Sequence, residues 1–149
     1  MKIAHLIKVS VFSHEDEEES EIKKGFLSLF PFNLDEEKIG LNERKVKGLE
    51  QKMLYTFEAE LKKDRHINAF LKNLIDGISS EDKERIIRQA ESRLNDELDF
   101  YLRFDIKEYL ANKKFKLVEH GHCFHIKISV AAFPAKREKA LNIVKELFK

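Results

Sequence analysis

Apolar and polar residues alternate most cleanly from Lys52 to Lys63. Met53, Tyr55, Phe57, Ala59 and Leu61 fall on one side, and Thr56, Glu58, Glu60 and Lys62 on the other. A period of two with one wet side predicts a strand of an antiparallel sheet buried from one face only. The pattern recurs from Leu98 to Phe104, where Phe100, Leu102 and Phe104 oppose Tyr101 and Arg103. It recurs again from Phe124 to Phe133, where Phe124, Ile126, Ile128 and Val130 oppose His125, Lys127 and Ser129. Met1 to Phe12 carries Ile3, Ile7, Val9 and Val11 on one side and alone approaches an apolar second face. Lys38 to Val46 is polar, with Ile39 and Leu41 on one face, which suits an edge strand protected by charge. Phe115 to Glu119 reads as a further strand, forming a hairpin with Phe124 to Phe133 around a turn near His120-Gly121.

The helical segments show the longer period. After the acidic run Glu15 to Glu19, which favours the positive end of a helix dipole, Ile22, Phe26, Leu29 and Phe30 recur at helical spacing until Pro31. Asp64 is placed to cap a helix whose stripe is Ile67, Phe70, Leu71, Leu74, Ile75 and Ile78. Gly77, Ser79 and Ser80 mark a break, and Glu81 to Asn95 predicts a second helix with Ile86, Ile87, Ala90 and Leu94 inward. Asp105 to Asn112 is a short helical excursion. Pro134 ends the sheet, and Ala135 to Phe148 is a last helix with Ala140, Leu141, Val144, Leu147 and Phe148 on its buried side. The helices suffice to cover one side of the sheet. The expected fold is α+β, a two-layer sandwich of a mainly antiparallel sheet with helices packed on one face. The 149 residues show no repeat, low-complexity stretch or Gly/Pro-rich linker, so residues 1–149 are expected to form a single domain.

Composition narrows the choice of partner. Charged residues make up 37% of the chain, yet 28 basic against 27 acidic side chains leave a net charge of +1. No long-range pull on nucleic acid, membrane or acidic substrate follows, so a binding site must come from local clustering. Cys123 is the sole cysteine, which excludes an intrachain disulfide and suits a reducing compartment. Neither a signal peptide nor a run of about 20 apolar residues is found, so a cytoplasmic location away from membranes is expected. Abundant lysine and glutamate with two glutamines, Gln51 and Gln89, fit a thermophilic source.

Candidate chemistry is sparse. Glu119, His120, His122, Cys123 and His125 are residue types that bind zinc. On a strand, however, His120 and His122 share one face while Cys123 and His125 share the other. A polar hairpin tip is the preferred reading, and no metal or cofactor is assigned. No nucleophile elbow, Walker loop or dinucleotide glycine motif occurs, and no carboxylate pair stands out, so no catalytic residue is assigned. The run Glu15 to Glu19 is read as a solvated helix start in preference to a cation site. Local basic clusters do occur. Lys136, Arg137 and Lys139 open the last helix, where cations oppose the dipole and a phosphate would relieve the conflict. Lys113, Lys114 and Lys116 form a further patch, as do Lys62, Lys63 and Arg65. With a neutral whole, solvated surface charge is the preferred reading of all three from sequence alone. Tyr101, Arg103, His125 and Lys127 are expected to share the open sheet face. That platform suits stacking and phosphate contact with single-stranded RNA, or equally the face-to-face packing of two copies. It lacks the aromatic-rich signatures of the RNA-recognition-motif fold.

Four segments carry a family likeness. They are Leu29-Phe30-Pro31-Phe32, Arg65-His66-Ile67-Asn68-Ala69-Phe70-Leu71, Phe100-Tyr101-Leu102-Arg103-Phe104-Asp105, and His125-Ile126-Lys127-Ile128 running on to Ala132-Phe133-Pro134-Ala135-Lys136-Arg137-Glu138-Lys139-Ala140. In this order they resemble an archaeal family of RNA-binding, predicted exosome-subunit proteins, whose fold is related to that of the large-subunit ribosomal protein L-five. The resemblance implies an α+β two-layer fold and a role touching RNA, alongside RNA-degrading machinery. Its matched polar positions are Arg65, Asn68, Arg103, His125, Lys127, Lys136, Arg137 and Lys139. His122 departs from the pattern, standing where the family carries an acidic residue after the hairpin glycine. The expectation is a non-catalytic RNA-binding protein using Lys136, Arg137, Lys139, Lys127, Arg103, Arg65, Tyr101 and His125. The alternatives are a homodimeric interaction protein and, ranked last, a metal-dependent hydrolase.

Overall fold

The computed structural model describes residues 2–13, 18–47 and 53–149. Along the chain these form β1 (Ala4–Ser13), α1 (Glu19–Ser28), β2 (Asn42–Lys47), β3 (Met53–Leu61), α2 (Asp64–Gly77), α3 (Ser80–Arg88), α4 (Ala90–Arg93), β4 (Asp99–Asp105), α5 (Ile106–Asn112), β5 (Cys123–Val130) and α6 (Arg137–Leu147). The strands make one sheet in the order β2-β3-β1-β5-β4, and every neighbouring pair is antiparallel.

The register turns the alternating sequence pattern into two unlike faces. Leu61, Ile7, Ile128 and Phe100 lie across the sheet in one buried row, and Ala59, Val9, Ile126 and Leu102 in the next. Phe57 opposite Val11 and Phe104 opposite Phe124 complete the apolar face. The helices close over it with the stripes their spacing dictates: Ile22 and Phe26 from α1, Ile67, Phe70, Leu71 and Leu74 from α2, and Ala140, Ile143 and Val144 from α6. Aromatic rings join the layers, with Phe26 6.3 Å from Phe57, Phe100 stacked 6.2 Å from Phe148, and Tyr109 edge-on to Phe124 at 5.8 Å. Fully burying a Phe contributes about 1.5–3 kcal/mol, so these rings dominate the cohesion of the two layers. The fold is therefore the expected α+β two-layer sandwich with helices on one face.

Four local expectations are corrected. Phe115 to Glu119 does not pair with β5, because both edges of β5 are already taken by β1 and β4. Instead it runs along the outer edge of β4, where Asp105 N–H donates to the Lys116 carbonyl at 2.9 Å and Val118 N–H to that of Arg103 at 3.0 Å. The expected helix Glu81 to Asn95 is two helices, because Gln89 leaves helical geometry (φ −96°, ψ 9°), and Leu94, extended yet buried as expected, bridges Phe100. Asp64 lies inside the first turn of α2, where it favours the dipole, and Lys63 holds the cap position with no side-chain hydrogen bond. The edge strand begins at Asn42, since Lys38 is left-handed (φ 59°) and the Ile39 N–H donates to Leu34 in a closed turn. Ile39 and Leu41 pack on the core from that turn. Most of the acidic run, Glu15 to Glu17, lies outside the described residues; Glu18 is the cap of α1. Among the described residues no helix is long and apolar enough to cross a membrane.

Candidate nucleic-acid interface

Residues that alternate with the core positions point away from the helices. On β5 these are His125, Lys127 and Ser129, on β1 Lys8, Ser10 and Phe12, and on β4 Tyr101 and Arg103. Their register brings four of the expected residues together: Tyr101 sits opposite Lys127, and Arg103 opposite His125, on adjoining rungs. The other side of β5 adds Lys8 opposite Lys127 and Ser10 opposite His125. Two lysines directly opposite each other repel. Lys8 has a partial answer in Glu58 at 3.4 Å, whereas Lys127 makes no ion pair among the described residues. Tyr101 is 43% exposed, and Phe12 is 51% exposed with its ring edge-on to His125 at 6.4 Å. A groove of about 510 Å³ continues the face over β1, β3 and β2, lined by Lys8, Ser10, Phe12, Arg44, Val46 and Thr56 among others.

Burial on this face suppresses ionisation of its softer groups. Burial, and then the positive Arg103, hold the His125 imidazole below its ordinary pKa. Burial pushes the Cys123 thiol up against an opposing pull from Arg103, so the thiolate a nucleophile requires is disfavoured. Cys123 Sγ lies 3.8 Å from His125 Nε2, while His122 Nε2 is engaged with the Phe12 carbonyl at 3.0 Å. The histidines of the expected hairpin tip thus point to different places, and no group of three or more metal-binding side chains converges among the described residues.

The remaining expected site residues lie elsewhere. Lys136 caps α6, and Arg137 and Lys139 follow in its exposed first turn, beyond the sheet end where β5 finishes. The Arg137 guanidinium is engaged: its Nη1 donates to the carbonyls of Leu94 (2.9 Å) and Asn95 (3.4 Å), and its Nη2 to that of Glu91. It thereby satisfies carbonyls left open where α4 stops. This turn adjoins the sheet platform through Asn95, whose side-chain amide donates to the Tyr101 hydroxyl at 3.3 Å. Arg65 is separate. It lies at the start of α2 and pairs with Glu37 at 3.0 Å, whose carboxyl is held below its ordinary range by the hydrogen bond from His66 and by the Arg65 charge.

One cluster was not anticipated. Arg85 from α3, Arg93 from α4 and Arg103 from β4 meet at Glu119, the last residue of the segment that borders β4. Arg85 and Arg93 both reach Glu119 Oε1, at 3.3 and 2.9 Å, and Arg103 donates to the Glu119 carbonyl at 3.1 Å. Arg93 also donates twice to Gln89 Oε1 and once to the Tyr101 carbonyl. Arg85 and Arg93 stand eight residues apart across the break at Gln89, and their common partner lies in the strand segment assigned to the wrong neighbour. No local spacing could have signalled this meeting.

Together these features define an α+β protein with a cationic, partly aromatic face on its sheet. A family model described as RNA binding matches residues 6–130, most of the chain. The chain is 31% identical over 144 residues to RNA-binding protein PAB1135 of Pyrococcus abyssi (strain GE5 / Orsay), covering 96% of this chain and 92% of that one. Among solved structures, protein AF2318 from Archaeglobus fulgidus shares 27% identity at a TM-score of 0.83 over 98% of this chain and 99% of that one. Mth689 from Methanothermobacter thermautotrophicus, at 20% identity and TM-score 0.76 over 99% of both chains, shares the fold. The chain belongs to this RNA-binding family.

Proposed function

We propose that this protein is a non-catalytic RNA-binding protein that reads single-stranded RNA on the open face of its sheet. The observation that carries this reading is the adjoining pair of rungs Tyr101–Lys127 and Arg103–His125. A half-exposed ring offers a stacking surface, and two permanent cations with a titratable imidazole flank it. Lys136 and Lys139 extend the positive field along the α6 turn beside Tyr101, and Arg137 adds charge while fixing that turn. Arg65, tied to Glu37 at the start of α2, is a peripheral contact at most. Family membership supports RNA as the ligand. Action in the cytoplasm of a heat-adapted cell, beside RNA-degrading machinery, is the finer part of the reading; it draws on composition and on the resemblance.

Filter binding of a single-stranded RNA at two salt concentrations tests the reading. Each phosphate neutralised contributes a slope of about −0.7 in log affinity against log salt. Lys127→Glu and Tyr101→Ala are expected to weaken binding at least severalfold, since losing one stacking contact costs about 1–3 kcal/mol. Binding indifferent to both changes would remove the platform from the account. Exposed Phe12 and Val46 on the same face favour a second reading, self-association of two sheets. Sedimentation at micromolar concentration decides that one, a strict monomer ending it.

A further inference from the structure

Two guanidinium groups, of Arg85 and Arg93, share the Glu119 carboxylate at the outer edge of β4, and a third, of Arg103, donates to the Glu119 main-chain carbonyl. The formal charges there sum to about +2, and among the described residues no other carboxylate comes within ion-pair distance of Arg85, Arg93 or Arg103. Such an excess is costly where water is scarce, and the Arg93 side chain is only 8% exposed. Burial, together with the facing Arg85 and Arg103, draws Arg93 below its ordinary pKa, against the pull of Glu119. The donors are also incompletely used. Arg85 Nε is buried without a hydrogen-bond partner, and one oxygen, Glu119 Oε1, serves both Arg85 and Arg93. The Glu119 side chain is 53% exposed, so it can swing into solvent without unpacking the core.

We propose that Arg85, Arg93 and Arg103 form a phosphate seat that Glu119 fills in the free protein and that an incoming phosphate group takes over. A phosphate brings at least as much negative charge as the carboxylate and more acceptor oxygens, which a set of planar guanidinium forks is suited to engage. The seat wraps the outer edge of β4, which the segment ending at Glu119 borders. Arg103 stands on the open face, whereas Arg85 and Arg93 approach from the helix layer. An RNA strand lying over Tyr101 and Lys127 would thus meet the seat at its next phosphate; that RNA supplies the phosphate rests on the RNA-binding reading above. Glu119 acts in this scheme as a built-in competitor, which lowers affinity and sharpens the preference for strands that follow the edge.

The test compares the wild type with Glu119→Gln, which keeps the shape and removes the competing charge. Glu21→Gln on α1 controls for net charge, and Glu119→Gln with Arg85→Gln tests for reversal. Fluorescence anisotropy with a single-stranded RNA carrying either a 5′-phosphate or a 5′-hydroxyl reads affinity. Glu119→Gln is expected to bind about three- to tenfold more tightly at low salt and to steepen the salt slope by about 0.7. The double variant loses the gain, and Glu21→Gln never shows it. A gain with both RNAs assigns an internal phosphodiester; a gain confined to the 5′-phosphorylated strand assigns the chain end. Affinity in Glu119→Gln no higher than in Glu21→Gln, with the wild type still binding RNA, overturns the seat and leaves the function standing. If no variant binds RNA, the function falls. Inorganic phosphate then decides the seat: a larger rise in melting temperature for Glu119→Gln than for wild type, relative to chloride at matched ionic strength, upholds it, and equal shifts overturn it.

Discussion

His125 illustrates how one side chain ties the fold to binding. On its own strand it faces Cys123, from β4 it faces Arg103, and from β1 it faces Ser10 and the Phe12 ring. Its depressed pKa means that the folded state prefers the neutral ring. The corresponding contribution to stability is present above the ordinary histidine pKa and is lost as the pH falls through the lower folded value. Denaturant melts at pH 7.5 and 5.5 are expected to differ less in His125→Asn than in the wild type. An adjacent phosphate would reverse the balance, so NMR titration is expected to show the His125 pKa rising when RNA is added. Unchanged titration in a saturated complex would place the strand elsewhere. Arg137 has a different task from its neighbours. Its hydrogen bonds to the ends of α4 involve a charged donor, so Arg137→Ala is expected to cost about 1.5–3 kcal/mol in urea denaturation. Lys136→Ala and Lys139→Ala, being exposed, are expected to change stability by at most about 0.5 kcal/mol while weakening RNA binding. Sequence placed these three cations correctly at the helix start. Three carbonyls some forty residues upstream, which occupy Arg137, leave no trace in local pattern.

At the scale of elements, alternation identified strands well and their neighbours poorly. Period two is set by the backbone pleat and survives any arrangement, so the faces of β3, β4 and β5 were all legible. Which edge accepts Phe115 to Glu119 depends on α5, whose seven residues carry the chain back along β4 before β5 is reached. The close packing of that excursion sets a sharp expectation. A Cβ built on Gly77 would sit 2.6 Å from Phe115 Cδ2, a ring wedged against Phe104 and Tyr109, and the Phe115 N–H donates to the Gly77 carbonyl at 3.0 Å. Gly77→Ala should therefore destabilise by about 1–3 kcal/mol through overpacking. Gly40→Ala, with nothing within 4 Å of the new methyl, should be near neutral. Equal effects in thermal melts would mean that α2 and the segment after α5 are not in contact. Two residue types made this junction partly visible beforehand, since Gly77 with Ser79 and Ser80 marked the break and Ser79 caps α3.

Over the whole molecule, a nearly neutral chain concentrates its useful charge by geometry. The net charge of +1 gives no hint of binding, but the register places Lys8, Lys127, Arg103 and His125 on one face, and among the described residues the helices pack on the other. The architecture follows from counting faces, which is why the two-layer fold could be read from sequence. The Arg85–Arg93–Arg103 cluster could not, because three elements and an edge segment must assemble before its members meet. The central claim is that the open sheet face is where RNA lies. Its most direct test is a ¹H–¹⁵N correlation spectrum of the protein recorded with and without a short single-stranded RNA. We expect the largest shifts at Lys8, Ser10, Tyr101, Arg103, His125 and Lys127, with the inward helix positions such as Phe70 and Val144 nearly still. Shifts confined to the helix layer, or a spectrum unmoved at saturating RNA, would contradict the account.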